Sequence, residues 1–182
     1  MRRPSVTRLG AGAFVAFLGC IPLANWMIGH VGTVCAAGGP CLIPVAPGLL
    51  APSGVLVAGL ALVLRDVVQR CLGTSAGLLA IALGTLASVL VAPAQLALAS
   101  GVAFLLSELT DFAVYTPLQR RRLVLAVVAS SIAGLVIDSA AFLQLAFHSL
   151  AYLPGQVVGK IWAVLVSIPF VRVLRRLAPT PA

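Results

Sequence analysis

The chain has 182 residues, of which 61% are hydrophobic and only 9% charged, with a formal net charge of +8. Soluble domains are normally about a quarter charged, and no soluble fold of this length has enough interior for so much hydrocarbon. The composition therefore excludes a water-soluble enzyme or binding module and points to a single integral membrane domain over residues 1–182.

The positive charge does not describe a nucleic-acid groove. Arginines fall at 2, 3 and 8, at 65 and 70, at 120, 121 and 122, and at 172, 175 and 176, each group beside the end of an apolar run. That is the positive-inside pattern. A window of about 20 residues predicts six spans, approximately 9–28, 49–68, 74–92, 94–118, 123–147 and 154–174. Six spans with both termini cytoplasmic put all eleven arginines on the cytoplasmic side, whereas five spans or the opposite orientation scatter them. The expected fold class is thus an all-α bundle of six transmembrane helices in the cell (inner or plasma) membrane.

The first span follows three arginines and contains "AFLGC" around Cys20, a loose likeness to a cleaved lipoprotein signal. Cleavage would leave five spans with conflicting charge, so the span is read as retained. Between spans 1 and 2 lies the long outer loop, about residues 30–48, with "GTVCAAGGPCLIPVAPG". Its Gly and Pro residues break helices, so it is read as a lid or plug. Cys35 and Cys41 face an oxidising compartment in this topology, and a disulfide between them or two separate thiols are both open. Cys20 and Cys71 read as small packing residues.

Asp66, between Arg65 and Arg70 at the end of span 2, reads as half of an interfacial salt bridge. Span 4 carries Glu108 and Asp111, an i, i+3 pair on one helix face. About ten Leu, Val and Phe residues contribute roughly −0.3 to −0.6 kcal/mol each against two acids at roughly 2.5–3.5 kcal/mol each, so that face must point into the bundle. At about 1.5 Å of rise per residue, Glu108 falls ~3 Å and Asp111 ~7–8 Å inside the midplane. By the same rise Asp138 of span 5 lies ~4–5 Å and Lys160 of span 6 ~6 Å outside it, where the two antiparallel neighbours can pair. The structural alternative is a buried network that only holds helices together.

Span 6 opens "PGQVVGKIW". Gly155 and Gly159 form a small-residue face for close helix contact, and Gln156 shares a face with Lys160. Asn25 sits near the outer end of span 1, and Phe142 one turn after Asp138. Trp26, Trp162, Tyr152, His30 and His148 read as interfacial residues. No HExxH, GxSxG, phosphate loop or aspartate-rich metal motif is present, and no internal repeat. The reading has no catalytic residue, cofactor or metal.

Three segments, "SELTDFAVYTPLQRR", "GLVIDSAAFLQLAF" and "PGQVVGKIWAVLVSIP", resemble those of the vitamin-uptake-transporter-like family, whose members include queuosine-precursor transporters. The likeness runs from "LANW" through "LRDVVQR" to the last span and is most specific in spans 4 to 6. It implies a six-span fold similar to the substrate-binding components of energy-coupling-factor transporters. It also implies import of 7-deazaguanine bases, the cyano- and aminomethyl-substituted precursors of queuosine. The family's polar positions correspond to Asn25, Asp66, Glu108, Asp111, Asp138 and Lys160. For such a ligand, Asp138 or Glu108 would accept the two N–H donors of a guanine-like edge while Lys160 and Gln156 donate to its carbonyl. Phe142, Trp26 or Trp162 would stack on the ring. The expected substrate-binding set is Asn25, Glu108, Asp111, Asp138, Phe142, Gln156 and Lys160. Expected partners are a small purine-like solute and membrane lipid, no nucleic acid, with a second copy or a separate ATPase module as candidates. The competing functions are a substrate-capture component driven by that ATPase, and a non-transporting membrane scaffold.

Overall fold

A computed structural model describes residues 4–35, 39–92 and 97–177. Within them run α1 (Pro4–His30), β1 (Val34–Cys35), β2 (Cys41–Ala46), β3 (Leu49–Pro52), α2 (Val55–Leu72), α3 (Thr74–Val91), α4 (Ala97–Leu118), α5 (Leu123–Phe147) and α6 (Leu153–Leu177). Five of the six helices, all but α2, are long and apolar enough to cross a membrane. Their outward faces carry bare hydrocarbon, such as Leu90, Leu98 and Val166, which suits lipid and not water.

Helix α2 is as long as α3 but carries Arg65, Asp66 and Arg70. Its position accounts for this. The other five helices follow one another around it in the order α1, α3, α4, α5, α6, and α2 touches each of them. Twelve of its 18 residues are buried, against five of 18 in α3. The charged stretch of α2, residues 65–71, is therefore shielded from lipid by protein, where its charges can find partners. Close approach to α2 and α4 depends on glycines. A Cβ on Gly59 of α2 would lie 3.0 Å from the Lys160 backbone of α6, and one on Gly134 of α5 would lie 3.1 Å from the Asp111 Cβ.

The outer loop is not irregular, which corrects the all-α expectation. β1, β2 and β3 form a three-stranded antiparallel sheet in that order, with Cys35 opposite Cys41 and Ile43 opposite Ala51. Cys35 and Cys41 are disulfide-bonded. β2 and β3 are joined through Pro47 and Gly48, the latter with φ of 73°, which glycine adopts without strain. The helix expected from residue 49 consequently starts at Val55, because residues 49–52 pair with β2. The start expected for span 4, residue 94, lies outside the described residues.

The sheet caps one end of the bundle. Ser53 Oγ donates to the Met27 carbonyl at 2.6 Å, and Trp162 Nε1 donates to the Val45 carbonyl at 3.1 Å. The small-residue face of α6 is spent here: Gly159 lies against Val55 of α2 and Val45 of β2, and Gly155 against the Leu50 carbonyl of β3. The disulfide predicts that Cys35 and Cys41 resist alkylation in unfolded, unreduced protein and take up label once reductant is added. Peptide mass spectrometry reads this directly, and labelling of both before reduction contradicts it.

Candidate functional site

Two polar groups occupy the interior, one built on Arg65 and one on Lys160. Arg65 lies eleven residues into α2 and is fully buried. Its Nε donates to Glu108 Oε2 at 3.0 Å, its Nη1 lies 3.0 Å from Asp66 Oδ1, and its Nη2 lies 3.0 Å from Asp111 Oδ1. Nη1 also donates to Gln69 Oε1 at 2.9 Å, and Gln69 Nε2 passes the chain to Thr116 Oγ1 at 3.0 Å. The guanidinium sits 5.8 Å from the Phe112 ring centre and 5.7 Å from that of Tyr115. A planar, always-charged fork with several donors can serve three carboxylates at once.

On the far side Ser130 Oγ of α5 donates to Asp66 Oδ2 at 3.2 Å, and the Tyr115 hydroxyl donates to the Asp66 carbonyl at 3.2 Å. Asp66 is therefore not at an interface with water, as its place between two arginines suggests; it is wholly inside the protein. Asp111 is equally buried but less well served. Its contact with Arg65 has ion-pair distance without hydrogen-bond direction, and among the described residues neither of its oxygens has a hydrogen-bond partner.

The second group joins α5 and α6. Lys160 Nζ donates to Asp138 Oδ2, to Ser139 Oγ at 2.9 Å and to Gln156 Oε1 at 3.1 Å. All three ammonium protons are thus placed. Lys160 is 2% exposed but its partner Asp138 is 23% exposed, so the acid reaches open space while the base is sealed.

That open space is a cavity of about 110 Å³, several times the roughly 10–15 Å³ that one water requires. Asn25 and Cys20 of α1, Ala58 of α2, Ser88 of α3, Phe104, Ser107 and Glu108 of α4, Asp138 and Phe142 of α5, and Gln156 and Lys160 of α6 line it, with Pro52 and Gly54 closing the sheet side. Every helix contributes. Much of the wall is apolar, with a few polar groups that fix orientation, as in small-molecule sites.

Of the seven residues expected in the site, six share this cavity: Asn25, Glu108, Asp138, Phe142, Gln156 and Lys160. Asp111 does not line it and belongs to the Arg65 group. Nor do the two tryptophans. Trp26 is 53% exposed and stacks on His30, and Trp162 is 51% exposed with its indole on the β2 backbone. Sequence reasoning missed Arg65 as a buried centre, and it missed Phe104, Ser88 and Ser107 as wall. Phe104 supplies the aromatic face that the tryptophans do not. Glu108 alone belongs to both groups, touching Arg65 and facing the cavity.

A family model described as "Putative vitamin uptake transporter" matches residues 86–181, just over half the chain. The match takes in α4, α5 and α6, hence Glu108, Asp111, Asp138, Phe142, Gln156 and Lys160. No curated protein and no solved structure matches the chain.

The Arg65 group has a clear energetic consequence. Removing one partner from a buried ionic group costs about 3–5 kcal/mol, because the others are left uncompensated. Arg65→Met is expected to lower the midpoint of thermal unfolding in detergent sharply, whereas Arg120→Met in the exposed α4–α5 turn leaves it unchanged. Equal midpoints for the two variants would remove Arg65 from its central place.

Proposed function

This chain belongs to the vitamin uptake transporter family, and on that premise we propose that it imports 7-deazaguanine bases, the precursors of queuosine, into the cytoplasm. Membership and five apolar helices make it a multi-pass membrane transporter. In our reading α2 crosses as the sixth span, sheltered by its neighbours, and both termini face the cytoplasm of a cell whose inner or plasma membrane holds the protein. The exposed Arg8, Arg120, Arg121, Arg122 and Arg172 keep the charge bias that this orientation needs, even though Arg65 and Arg70 are buried and no longer count as loop charges.

One observation carries the proposal: a single cavity faces two carboxylates, Glu108 and Asp138, and the amide and ammonium of Gln156 and Lys160, beside the rings of Phe104 and Phe142. A 7-deazaguanine presents a ring N–H and an exocyclic amino group on one edge and a carbonyl next to them. A carboxylate accepts the two donors side by side, and the carbonyl needs a donor. Glu108 takes the donor edge in this reading, because Asp138 already holds Lys160. Gln156, whose side-chain oxygen is engaged by Lys160, offers its amide N–H to the carbonyl. The aromatic rings supply flat apolar area for the bicycle. Asn25, whose amide donates to the Ile21 carbonyl at 2.9 Å, presents its oxygen as a further acceptor at the α1 wall.

Complementation tests the proposal. A bacterium unable to synthesise the precursor and lacking its own importer, expressing this chain and fed 7-cyano- or 7-aminomethyl-7-deazaguanine, is expected to regain queuosine in its transfer RNA. Unmodified transfer RNA with every base supplied, despite protein in the membrane, would reject the assignment. Hydrogen bonds to charged groups are worth about 1.5–3 kcal/mol, so Glu108→Ala should weaken uptake on the order of 10–100-fold. Radiolabel uptake at fixed membrane content measures it.

A further inference from the structure

The Arg65 group is not balanced. Asp66, Glu108 and Asp111 bring three carboxylates to one guanidinium, and even with Arg70 of the next turn counted, the acids outnumber the cations. Arg70 Nη1 meanwhile donates to the Gln119 carbonyl at 3.1 Å. Excess negative charge in a dry interior is relieved by a bound cation or by a proton. Among the described residues no three Asp, Glu, His or Cys side chains converge as a metal site. Asp111, a fully buried carboxylate, meets Arg65 at ion-pair distance, and among the described residues neither of its oxygens is in hydrogen-bond geometry with a partner. A proton fits that place: it turns an unserved acceptor into a neutral group and needs no further ligands.

We propose that Asp111 is a proton-carrying site coupled to the transport cavity through Arg65 and Glu108, making the protein a proton–solute symporter. The inference rests on the transport reading above. The charged and titratable groups near Asp111 are Arg65 and Asp66 on α2 and Glu108 and Tyr115 on α4, with Ser130 of α5 as the nearby hydroxyl; Asp138 of α5 bears on Glu108, and Lys160 of α6 on Asp138. Asp138 and Lys160 neutralise each other, and Arg65 divides its donors among the remaining acids. Each ionised carboxylate therefore disfavours ionisation of the others. Glu108 must be ionised to accept the donor edge of a ligand. A proton on Asp111 removes one competing charge and lets Arg65 and Glu108 hold that form. Proton and ligand thus favour each other's binding, and linkage makes the effect reciprocal. With Asp111 protonated, Asp66 and Glu108 are matched by Arg65 and Arg70, and the state carrying both proton and ligand is the one that crosses in this proposal.

Purified protein in liposomes, with radiolabelled 7-cyano-7-deazaguanine as the probe, tests this. The cyano base carries no ammonium, so its own charge does not mix with that of the coupling ion. Two modes are compared: exchange against unlabelled base trapped inside, which needs no gradient, and accumulation driven by an acidic exterior with membrane voltage clamped. The expected result is exchange in both conditions and accumulation approaching about tenfold for a one-unit pH difference, abolished by a protonophore. Asp111→Asn is expected to keep exchange and lose gradient-driven accumulation, and Asp66→Asn serves as a second neighbour variant. Exchange without accumulation in the unaltered protein, accumulation that follows a sodium gradient instead, or undiminished accumulation in Asp111→Asn would each overturn the inference while leaving transport intact. No exchange at all in the unaltered protein would reject the transport reading itself, and the coupling with it.

Discussion

The contact on which the interior depends is the Arg65 guanidinium shared among Asp66, Glu108 and Asp111. It joins the central helix α2 to α4 through charge, with all four side chains buried in the protein. An isolated charge at the centre of a bilayer costs a few kcal/mol on insertion scales and more in a rigid apolar medium. The arrangement is tolerable because Nε and Nη1 of Arg65 donate to Glu108 and Gln69, and Asp66 and Asp111 each lie 3.0 Å from the guanidinium. It also explains why α2 lies in the middle. A helix with Arg65, Asp66, Gln69 and Arg70 on it cannot face lipid, so five more apolar helices wrap it, with Gly59 and Gly134 admitting α6 and α5 to close range.

From that contact the cavity follows. Glu108 is held by Arg65 and lines the space between the helices with 1% of its side chain exposed, while Asp138 and Lys160 lock α5 to α6. The side chains a solute would meet are thus fixed before it arrives, and preorganised polar groups bind with less ordering cost than floppy ones. The sheet completes the enclosure. Its disulfide and the bonds to Met27 and from Trp162 hold Pro52 and Gly54 over the cavity, so the segment between α1 and α2 acts as a built cap.

Much of this was legible in the sequence, and the reasons differ by element. Spans 1, 3, 5 and 6 were read within a few residues, because their apolar length is the dominant signal and needs no tertiary information. The meeting of Glu108, Asp138 and Lys160 at one space was legible from depth alone, since a charge in a span has to face inward. The sheet was not. "CLIPVAPGLLAP" is apolar throughout and lacks the alternation of a half-buried strand; the Pro47–Gly48 pair between two β-prone runs was the one cue for a hairpin. Missing it moved the start of the second helix from 55 to 49, and that shift carried Arg65 and Asp66 from the middle of a helix to its apparent end. The misreading of Asp66 as interfacial and the neglect of Arg65 both descend from that single boundary. The tryptophans failed for another reason: Trp26 and Trp162 are where a bilayer interface would hold them, and no one-dimensional pattern tells that from a ligand wall.

The most direct measurement is the position of the bound solute, by crystallography or electron microscopy of the protein saturated with 7-cyano-7-deazaguanine. The account predicts the bicycle between Phe104 and Phe142, its N–H edge within hydrogen-bond reach of Glu108 and its carbonyl toward Gln156. Density for the base outside this cavity, or a base inside it that leaves Glu108 untouched, would contradict the account.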